Sequence, residues 1–151
     1  MAERRNIARN RKAFKNYVIE DRYEAGLELR GSEVKSLRAG KANLTDAYVQ
    51  EEGDELFLVN CHINPYPFAN MLNHEPLRKR KLLMHRVEMD KIGRKLNERG
   101  FTAVPLNLYF KGARVKLEFG LAKGKRQSDK RAEIRARDEQ RDLEREFKNR
   151  Q

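Results

Sequence analysis

The chain has 151 residues, a formal net charge of +11 and an isoelectric point near 9.9. This length suits one domain with an extension. No apolar run is long enough to span a bilayer, and no signal-peptide core follows the charged N-terminus, so we expect a soluble protein of the cytosol. The single cysteine, Cys61, excludes an intrachain disulfide and is consistent with the same reducing compartment.

The positive charge is concentrated in three separated regions. Residues 1–16 carry six Lys and Arg against one acid, residues 77–95 carry eight against two, and residues 123–151 carry eleven against seven. The rest of the chain is slightly acidic. Clustered charge of this kind indicates a surface that binds a polyanion. The alternative, charge that serves only solubility, would be spread more evenly.

The first part of the body predicts two strands and a short helix. Residues 17–19 form a β-branched and aromatic run, and residues 25–30 alternate between apolar and polar side chains. Ser32 is the expected N-cap of a helix over residues 33–38, and Gly40 is expected to end it.

A hairpin and a loop are predicted next. Residues 46–50 and 55–63 form the two strands, with either Leu56 and Leu58 or their neighbours directed inward. Residues 64–76 contain three prolines and three asparagines, and this composition predicts a loop.

The second half predicts a longer helix and a final hairpin. The helix is expected to begin after His85 and to end before Gly100, which would cap it. Its buried side is predicted to consist of Met89, Ile92 and Leu96. Residues 106–110 and 115–119 alternate and predict two paired strands, the second of which stops at Gly120.

The order of these elements favours a mainly β fold, a small closed barrel of the oligonucleotide-binding (OB) type with about six strands and two attached helices. A split β-sandwich would fit the pattern nearly as well. We divide the chain into a basic N-terminal segment (1–15), the barrel (16–122) and a basic tail (123–151). The tail has few apolar side chains, so we expect it to be disordered alone.

Three blocks of the sequence resemble the SmpB family of bacterial proteins. The first comprises EAGL at residues 24–27 and GSEVKSLRAGKAN at residues 31–43. The second is RKLLMH at residues 80–85, and the third is GLAKGKRQSDKR at residues 120–131. With the connecting strands, the resemblance covers the chain from about Asn10 to the end.

The resemblance implies a role in trans-translation. Members of the family bind transfer-messenger RNA (tmRNA, also called SsrA RNA), hold its tRNA-like domain and help to load it into ribosomes stalled on messages without a usable stop codon. The tail is implied to enter the empty mRNA channel of the small subunit near the decoding centre. Alanyl-tRNA synthetase and EF-Tu are implied to act alongside, and the protein itself is expected to perform no chemistry and to need no cofactor or metal.

Three residues are implied to read the RNA. Glu24 matches a carboxylate of the family, and a carboxylate can accept hydrogen bonds from base amino groups or 2′-hydroxyls, which a cation cannot do. Leu83 and His85 match a pair that presents an apolar and a polar side chain to the same RNA surface. Many relatives carry Asn at the second position, and the imidazole of His85 could equally just cap the following helix.

The basic residues of the body are expected to contact phosphates. Residues 78–81 are four consecutive cations that cannot all face inward, so most of them are predicted to be exposed phosphate contacts, which supply affinity without sequence information. The short helix is expected to extend this surface, although simple solvated positions would explain its cations equally well. The residues in this group are Lys35, Arg38, Arg78, Arg80 and Lys81.

The tail is expected to act on the ribosome. Residues 123–126 predict a flexible basic hinge, and residues 129–131 match a triplet of the family associated with the decoding region. Ser128 departs from relatives that have His or an aromatic side chain able to stack on a base. Beyond Arg131, attractive and repulsive i,i+4 pairs nearly balance, so helix formation is expected to depend on the ribosomal surroundings. The predicted contacts are Lys123, Lys125, Arg126, Ser128, Asp129, Lys130 and Arg131.

Two other classes of function compete with this interpretation. A ribosomal protein or RNA chaperone could use the same kind of barrel and would bind RNA broadly. An enzyme is the second class, but His62, His74 and His85 lack the spacing of metal ligands. No nucleophile–base arrangement or Gly-rich phosphate loop stands out either.

Overall fold

The computed structural model describes residues 3–68, 73–98 and 100–124, together with Arg141. Its elements in chain order are β1 (Arg4–Arg9), α1 (Arg11–Asn16), β2 (Tyr17–Leu27), α2 (Gly31–Arg38), β3 (Ala42–Asn43), β4 (Tyr48–Glu52), β5 (Glu55–Val59), β6 (His62–Ile63), β7 (Arg80–Leu83), α3 (Arg86–Leu96), β8 (Phe101–Lys111) and β9 (Arg114–Gly124). Most of the predicted tail therefore lies outside the described residues.

Six strands close into a barrel. Their order around the ring is β8, β4, β5, β7, β2 and β9, and β9 pairs back onto β8. All of these pairings are antiparallel. The two-residue strands β3 and β6 form a separate small sheet. The predicted mainly β barrel is confirmed, and closure of the ring excludes the split sandwich.

The N-terminal segment joins the barrel wall, which the sequence analysis did not predict. On the edge of β8 that faces away from β9, β4 pairs at Ala103 and β1 pairs along residues 107–111. β8 is long enough for both neighbours because it has 11 residues. With α1, the described residues form three helices where two were predicted.

The polar side chain of Asn10 fixes α1 on the outside of the barrel. Its Oδ1 accepts a hydrogen bond from the amide of Ala13 at 3.3 Å, and its Nδ2 donates to the carbonyl of Pro105 in β8 at 2.9 Å. Ala13 is buried against a small apolar cluster that includes Val104 and Ala122. A six-residue helix has little stability of its own, so these contacts hold it in place.

Two predicted strand boundaries are wrong for a local steric reason. β2 is one continuous strand in which a bulge between Ile19 and Asp21 shifts the register but does not end the pairing with β9. Gly120 does not stop β9, because its missing side chain instead admits Ile19, whose Cγ2 would lie 2.7 Å from an added Cβ. β9 continues to Gly124, so Lys123 lies in the sheet and not in a flexible hinge.

The helix boundaries also differ from the expected capping residues. Arg30 occupies the N-cap position of α2. Ser32 is the second residue of the helix and is buried, and its Oγ lies 2.9 Å from Nδ1 of the buried His74. α3 begins at Arg86 as predicted, but Asn97 is its C-cap, and Gly100 follows in the left-handed region with a φ of 90°.

The barrel interior contains the apolar residues that the alternation predicted. These buried side chains are Leu56, Leu58, Leu108, Phe110, Val115, Leu117 and Phe119. Leu106 is also buried, but it packs in the small outer cluster with Ala13, because the register of β8 shifts between Pro105 and Asn107. α3 adds Met89 and Ile92 to the core, while Leu96 is only partly buried.

A buried ion cluster joins α2 to β7. Glu33 and Arg80 are both fully buried, with Arg80 Nε 2.5 Å from Glu33 Oε2. Arg78 Nη2 donates to Glu33 Oε1 at 2.6 Å, and the amide of Arg30 donates to the same oxygen at 2.8 Å. Arg80 Nη1 also donates to the carbonyl of Cys61 at 2.7 Å. The Glu33 carboxylate and the Cys61 carbonyl accept hydrogen bonds from the Arg80 guanidinium, and this offsets the free-energy cost of burying its charge.

The structure therefore contradicts the prediction that Arg80 is an exposed phosphate contact. Burial alone raises the pKa of Glu33, but the hydrogen bonds from Arg78, the Arg30 amide and Arg80 outweigh it, so the net pKa shift is downward. Glu33 is therefore ionised at neutral pH, as the counter-charge of Arg80 must be.

The substitution Glu33→Gln should lower the free energy of unfolding by about 3–5 kcal/mol at neutral pH, because it leaves Arg80 buried without a counter-charge. Glutamine can still accept the Arg30 amide bond, so the start of α2 is preserved. Folding lowers the pKa of Glu33 below its ordinary value of 4.5. The difference in the free energy of unfolding between wild type and variant should therefore be largest above pH 4.5 and should shrink as the pH falls through the pKa of the folded protein.

Urea unfolding followed by circular dichroism measures this difference. Glu28→Gln is the matched control, because Glu28 is an exposed carboxylate just before the same helix and should change stability by no more than about 0.5 kcal/mol. Equal stabilities of the two variants would contradict the structural role of the ion cluster.

Candidate nucleic-acid interface

The outer face of the barrel carries two transverse rows of residues. Neighbouring strands lie about 4.8 Å apart, so each set of register partners forms a row across the sheet. The first row consists of Arg9, Asn107, Glu118 and Glu24. The adjoining row consists of Asn6, Tyr109, Lys116, Gly26 and Leu83. In β2, β8 and β9 these positions alternate with core residues such as Ala25, Leu108 and Leu117.

Glu24 lies near the centre of this face with an ionised, partly exposed carboxylate. The hydroxyl of Tyr109 donates to its Oε2, and Lys111 Nζ lies 3.3 Å from its Oε1. The hydrogen bond from Tyr109 is the main cause of a lowered pKa of Glu24, and Lys111 and Lys116 contribute in the same direction. A carboxylate has about four acceptor positions, so Glu24 keeps capacity for further donors. Its side chain is 39% exposed, which leaves that capacity accessible.

Tyr109 acts as the support of Glu24. Its side chain is buried on the outer face, and the guanidinium of Arg4 lies 3.8 Å from the centre of its ring. Burial, followed by the hydrogen bond to Glu24, raises the pKa of Tyr109 well above its ordinary value. The phenol therefore stays protonated and donates, which fixes the orientation of the carboxylate.

A second carboxylate lies directly across the strand pair from Glu24. Glu118 is the register partner of Glu24 on β9, and Asn107 Nδ2 donates to its Oε1 at 2.8 Å. Like charges directly opposite each other destabilise a sheet. The donors around the pair, Tyr109, Lys111 and Asn107, offset this repulsion.

Glu24, Leu83 and His85 line one cavity of about 370 Å³. Leu83 is 50% exposed, although it is apolar. It lies beside Gly26, whose lack of a side chain leaves the surface open between Leu83 and Lys116. His85 occupies the N-cap position of α3, but its side chain makes no capping hydrogen bond. The residue is exposed, so its imidazole is accessible from the cavity that it lines.

A continuous concave surface connects this cavity with α2. Gly26, Leu83 and Lys116 also line an adjoining cavity that extends to Ala113. Ala113 in turn lines a third cavity with Arg38. Arg38 is thus connected with Glu24, whereas Lys35 points elsewhere, with its Nζ 5.3 Å from the centre of the Tyr66 ring.

The run of four cations at residues 78–81 divides between the interior and the surface. Arg80 is buried on Glu33, and Arg78 is only 22% exposed and donates to the same carboxylate. Lys81 is 38% exposed but lies 3.7 Å from Glu55 on β5. Lys79, which is 47% exposed, likewise pairs with Glu52 at 2.6 Å.

The predicted ribosomal contacts are mostly outside the described part of the chain. Lys123 is the exception, and its Nζ lies 4.6 Å from the centre of the Phe101 ring, which Lys95 also approaches at 5.3 Å. The predicted residues outside the described ranges are Lys125, Arg126, Ser128, Asp129, Lys130 and Arg131.

Sequence reasoning missed several residues that shape the site. Tyr109, Lys111, Lys116 and Glu118 alternate with the predicted core residues of β8 and β9, so the same alternation placed them on the outer face. The role of Glu33 gave no such signal, because its partners are 45 and 47 residues away in the chain.

Three further observations concern metal binding, membrane spanning and the lone cysteine. Within residues 3–68, 73–98 and 100–124, no group of three or more His, Cys, Asp or Glu side chains is arranged to hold a metal ion. None of the helices described is long and apolar enough to cross a membrane. Cys61 is buried and unpaired, and burial raises the pKa of its thiol to about 11, which suppresses its reactivity.

Comparison with known proteins gives matches over nearly the whole chain. Residues 7–149 match the model of the family described as "SmpB protein". An SsrA-binding protein of Symbiobacterium thermophilum is 54% identical over 99% of this chain and 95% of its own length. One from Geobacter metallireducens is 53% identical over 91% of this chain and 90% of its own length.

A solved structure agrees with these matches. A chain in the structure described as "tmRNA-SmpB: a journey to the center of the bacterial ribosome" is 43% identical, with a TM-score of 0.67 over 84% of this chain and 93% of that one. The family match, the similar sequences and the shared fold therefore lead to one assignment: the chain belongs to the SmpB protein family.

Proposed function

We propose that this chain binds the tRNA-like domain of tmRNA and helps to deliver it to stalled ribosomes for trans-translation. The observation that carries the proposal is the single cavity that Glu24, Leu83 and His85 share, although they come from two strands and a helix start. The family assignment supports the choice of RNA, because relatives about 50% identical are named SsrA-binding proteins. The role is one of binding, without a reaction at the protein.

Each part of the cavity has a distinct task in this proposal. Glu24 accepts hydrogen bonds from base amino groups or 2′-hydroxyls at the positions that Tyr109 and Lys111 leave free. The exposed side chain of Leu83 packs on a base that is unstacked, and His85 contacts the same base by stacking or by hydrogen bonding. Lys116 and Arg38 contact phosphates along the connected concave surface.

The other basic residues that the sequence analysis assigned to RNA binding contribute less in this proposal. Lys81 and Lys35 act as peripheral phosphate contacts, and binding of RNA competes with the Glu55 ion pair of Lys81. Arg78 and Arg80 act indirectly, because their pairing with Glu33 holds the start of β7 and thereby the position of Leu83.

We further propose a division of labour between the barrel and the tail. Residues 16–122 grip the RNA, and the tail beyond Gly124, where β9 ends, enters the empty mRNA channel near the decoding centre and becomes helical there. Lys123 at the end of β9 and residues 125–131 of the tail would contact ribosomal RNA. The place of action is the ribosome in the bacterial cytosol, where alanyl-tRNA synthetase charges the RNA and EF-Tu assists delivery.

Glu24→Ala should weaken binding of a tRNA-like-domain transcript by about 10- to 100-fold, because it removes hydrogen bonds to a charged acceptor worth about 1.5–3 kcal/mol. Tagging on stalled ribosomes should fall in parallel. Filter binding measures the affinity, and an in vitro tagging assay measures the second effect. Glu20→Ala is the matched control on the same strand, because Glu20 is exposed and does not line the cavity. Equal affinities of the two variants for the transcript would show that Glu24 does not contact the RNA.

Truncation after Arg126 should give the opposite pattern. The shortened chain keeps the whole described barrel, so binding of the transcript should stay within about twofold, while tagging on stalled ribosomes should be abolished. Both quantities are measured in the same two assays with the full chain as control. If truncation weakens RNA binding as much as Glu24→Ala does, the division between barrel and tail is wrong. Broad RNA binding without preference for the transcript would favour a general RNA-binding module instead.

A further inference from the structure

Two exposed arginines from different strands meet at one aromatic ring. The guanidinium of Arg9 on β1 lies 4.9 Å from the centre of the Phe14 ring, and that of Arg22 on β2 lies 5.7 Å from it. Both distances are within the range of cation–π contacts. Two guanidinium groups held at one ring repel each other. A negatively charged group bound between them would relieve this repulsion, so the arrangement favours an anion.

The ring that gathers these arginines has a fixed position. Phe14 lies on α1, and α1 is held on β8 by the two hydrogen bonds of Asn10 and by the buried Ala13. Phe14 itself packs against the same outer apolar cluster as Ala13. The two guanidinium groups are therefore positioned by the folded barrel before any ligand arrives.

Neither guanidinium is neutralised within the described part of the chain. Lys111, in contrast, forms an ion pair with Glu24 at 3.3 Å. No ion pair of Arg9 or Arg22 is formed among residues 3–68, 73–98 and 100–124. The planar donor groups of both arginines remain available, and planar forks of this kind match phosphate oxygens.

We propose that Arg9 and Arg22 form a phosphate clamp that holds one backbone phosphate of the RNA bound at Glu24. The proposal rests on the proposed function and extends it to residues outside the cavity. Arg22 precedes Glu24 by two residues on β2, about 7 Å along the strand. Arg9 lies in the same transverse row as Glu24, about 14 Å away across three strand spacings. OB folds bind segments of about 4–16 nucleotides, so one RNA segment spans both places.

The clamp supplies position and affinity, and it does not read sequence. A contact to phosphate releases counterions, which makes its contribution depend on salt. Glu24, in contrast, contributes through hydrogen bonds to bases or sugars. Removing the clamp should therefore change the salt dependence of binding, whereas Glu24→Ala should mainly change the affinity at every salt concentration.

The test compares two double variants of the full chain. R9Q/R22Q removes the clamp, and R11Q/K12Q removes the same charge from two other exposed positions on α1. The dissociation constant for a tRNA-like-domain transcript is measured over a series of salt concentrations. Thermal unfolding of both variants checks that the barrel is unchanged.

For R9Q/R22Q, the slope of log affinity against log salt should decrease in magnitude by about 1, the value for one phosphate contact, while R11Q/K12Q should keep the wild-type slope. The same slope for both double variants would overturn the clamp and leave the role of Glu24 intact. A decrease of about 2 would mean two separate phosphates and would overturn the shared site. If the wild type does not bind the transcript, the proposed function itself is wrong, and the clamp is wrong with it.

Discussion

The register of β9 between β2 and β8 decides which side chains meet on the outer face of the barrel. Side chains of a strand alternate between its two faces, so a shift of one residue would exchange the core row around Leu117 for the polar row around Glu118. The observed register pairs Glu24 with Glu118 and Asn107 with Glu118, and thereby brings the hydroxyl of Tyr109 to Glu24. This register therefore places the carboxylates of Glu24 and Glu118 side by side, with hydrogen-bond donors and cations around them.

The second half of the site depends on β7, which contributes only four residues to the ring. The buried ion cluster of Glu33 with Arg78 and Arg80 ties this short strand to α2. Arg80 and Leu82 face inward, and Leu83 is left exposed beside Gly26. The basic run at residues 78–81 therefore does not act only as a surface for RNA. Arg78 and Arg80 stabilise β7, the strand that presents Leu83.

Much of the fold followed from the sequence, because alternation in residues 106–110 and 115–119 and the apolar stripe of α3 are local signals. The sequence could not show that β1 and α1 join the barrel, since their stability comes from contacts with β8 and not from their own pattern. It also could not place Arg80, because four adjacent cations give no sign of which one meets a distant carboxylate. For the site, the resemblance supplied Glu24, Leu83 and His85, whereas the support by Tyr109 required the register between β2, β9 and β8.

The proposed function requires the cavity beside Glu24 to be the surface that receives RNA. Methyl chemical shifts of the leucines and valines, measured while a tRNA-like-domain transcript is added, test this claim directly. Leu77 and Val18 provide the comparison, because they are exposed to about the same extent as Leu83, at 50% and 49%, and do not line the cavity. The account predicts that the methyl signals of Leu83 shift strongly while those of Leu77 and Val18 move little. Unchanged Leu83 signals together with shifted Leu77 or Val18 signals would contradict it.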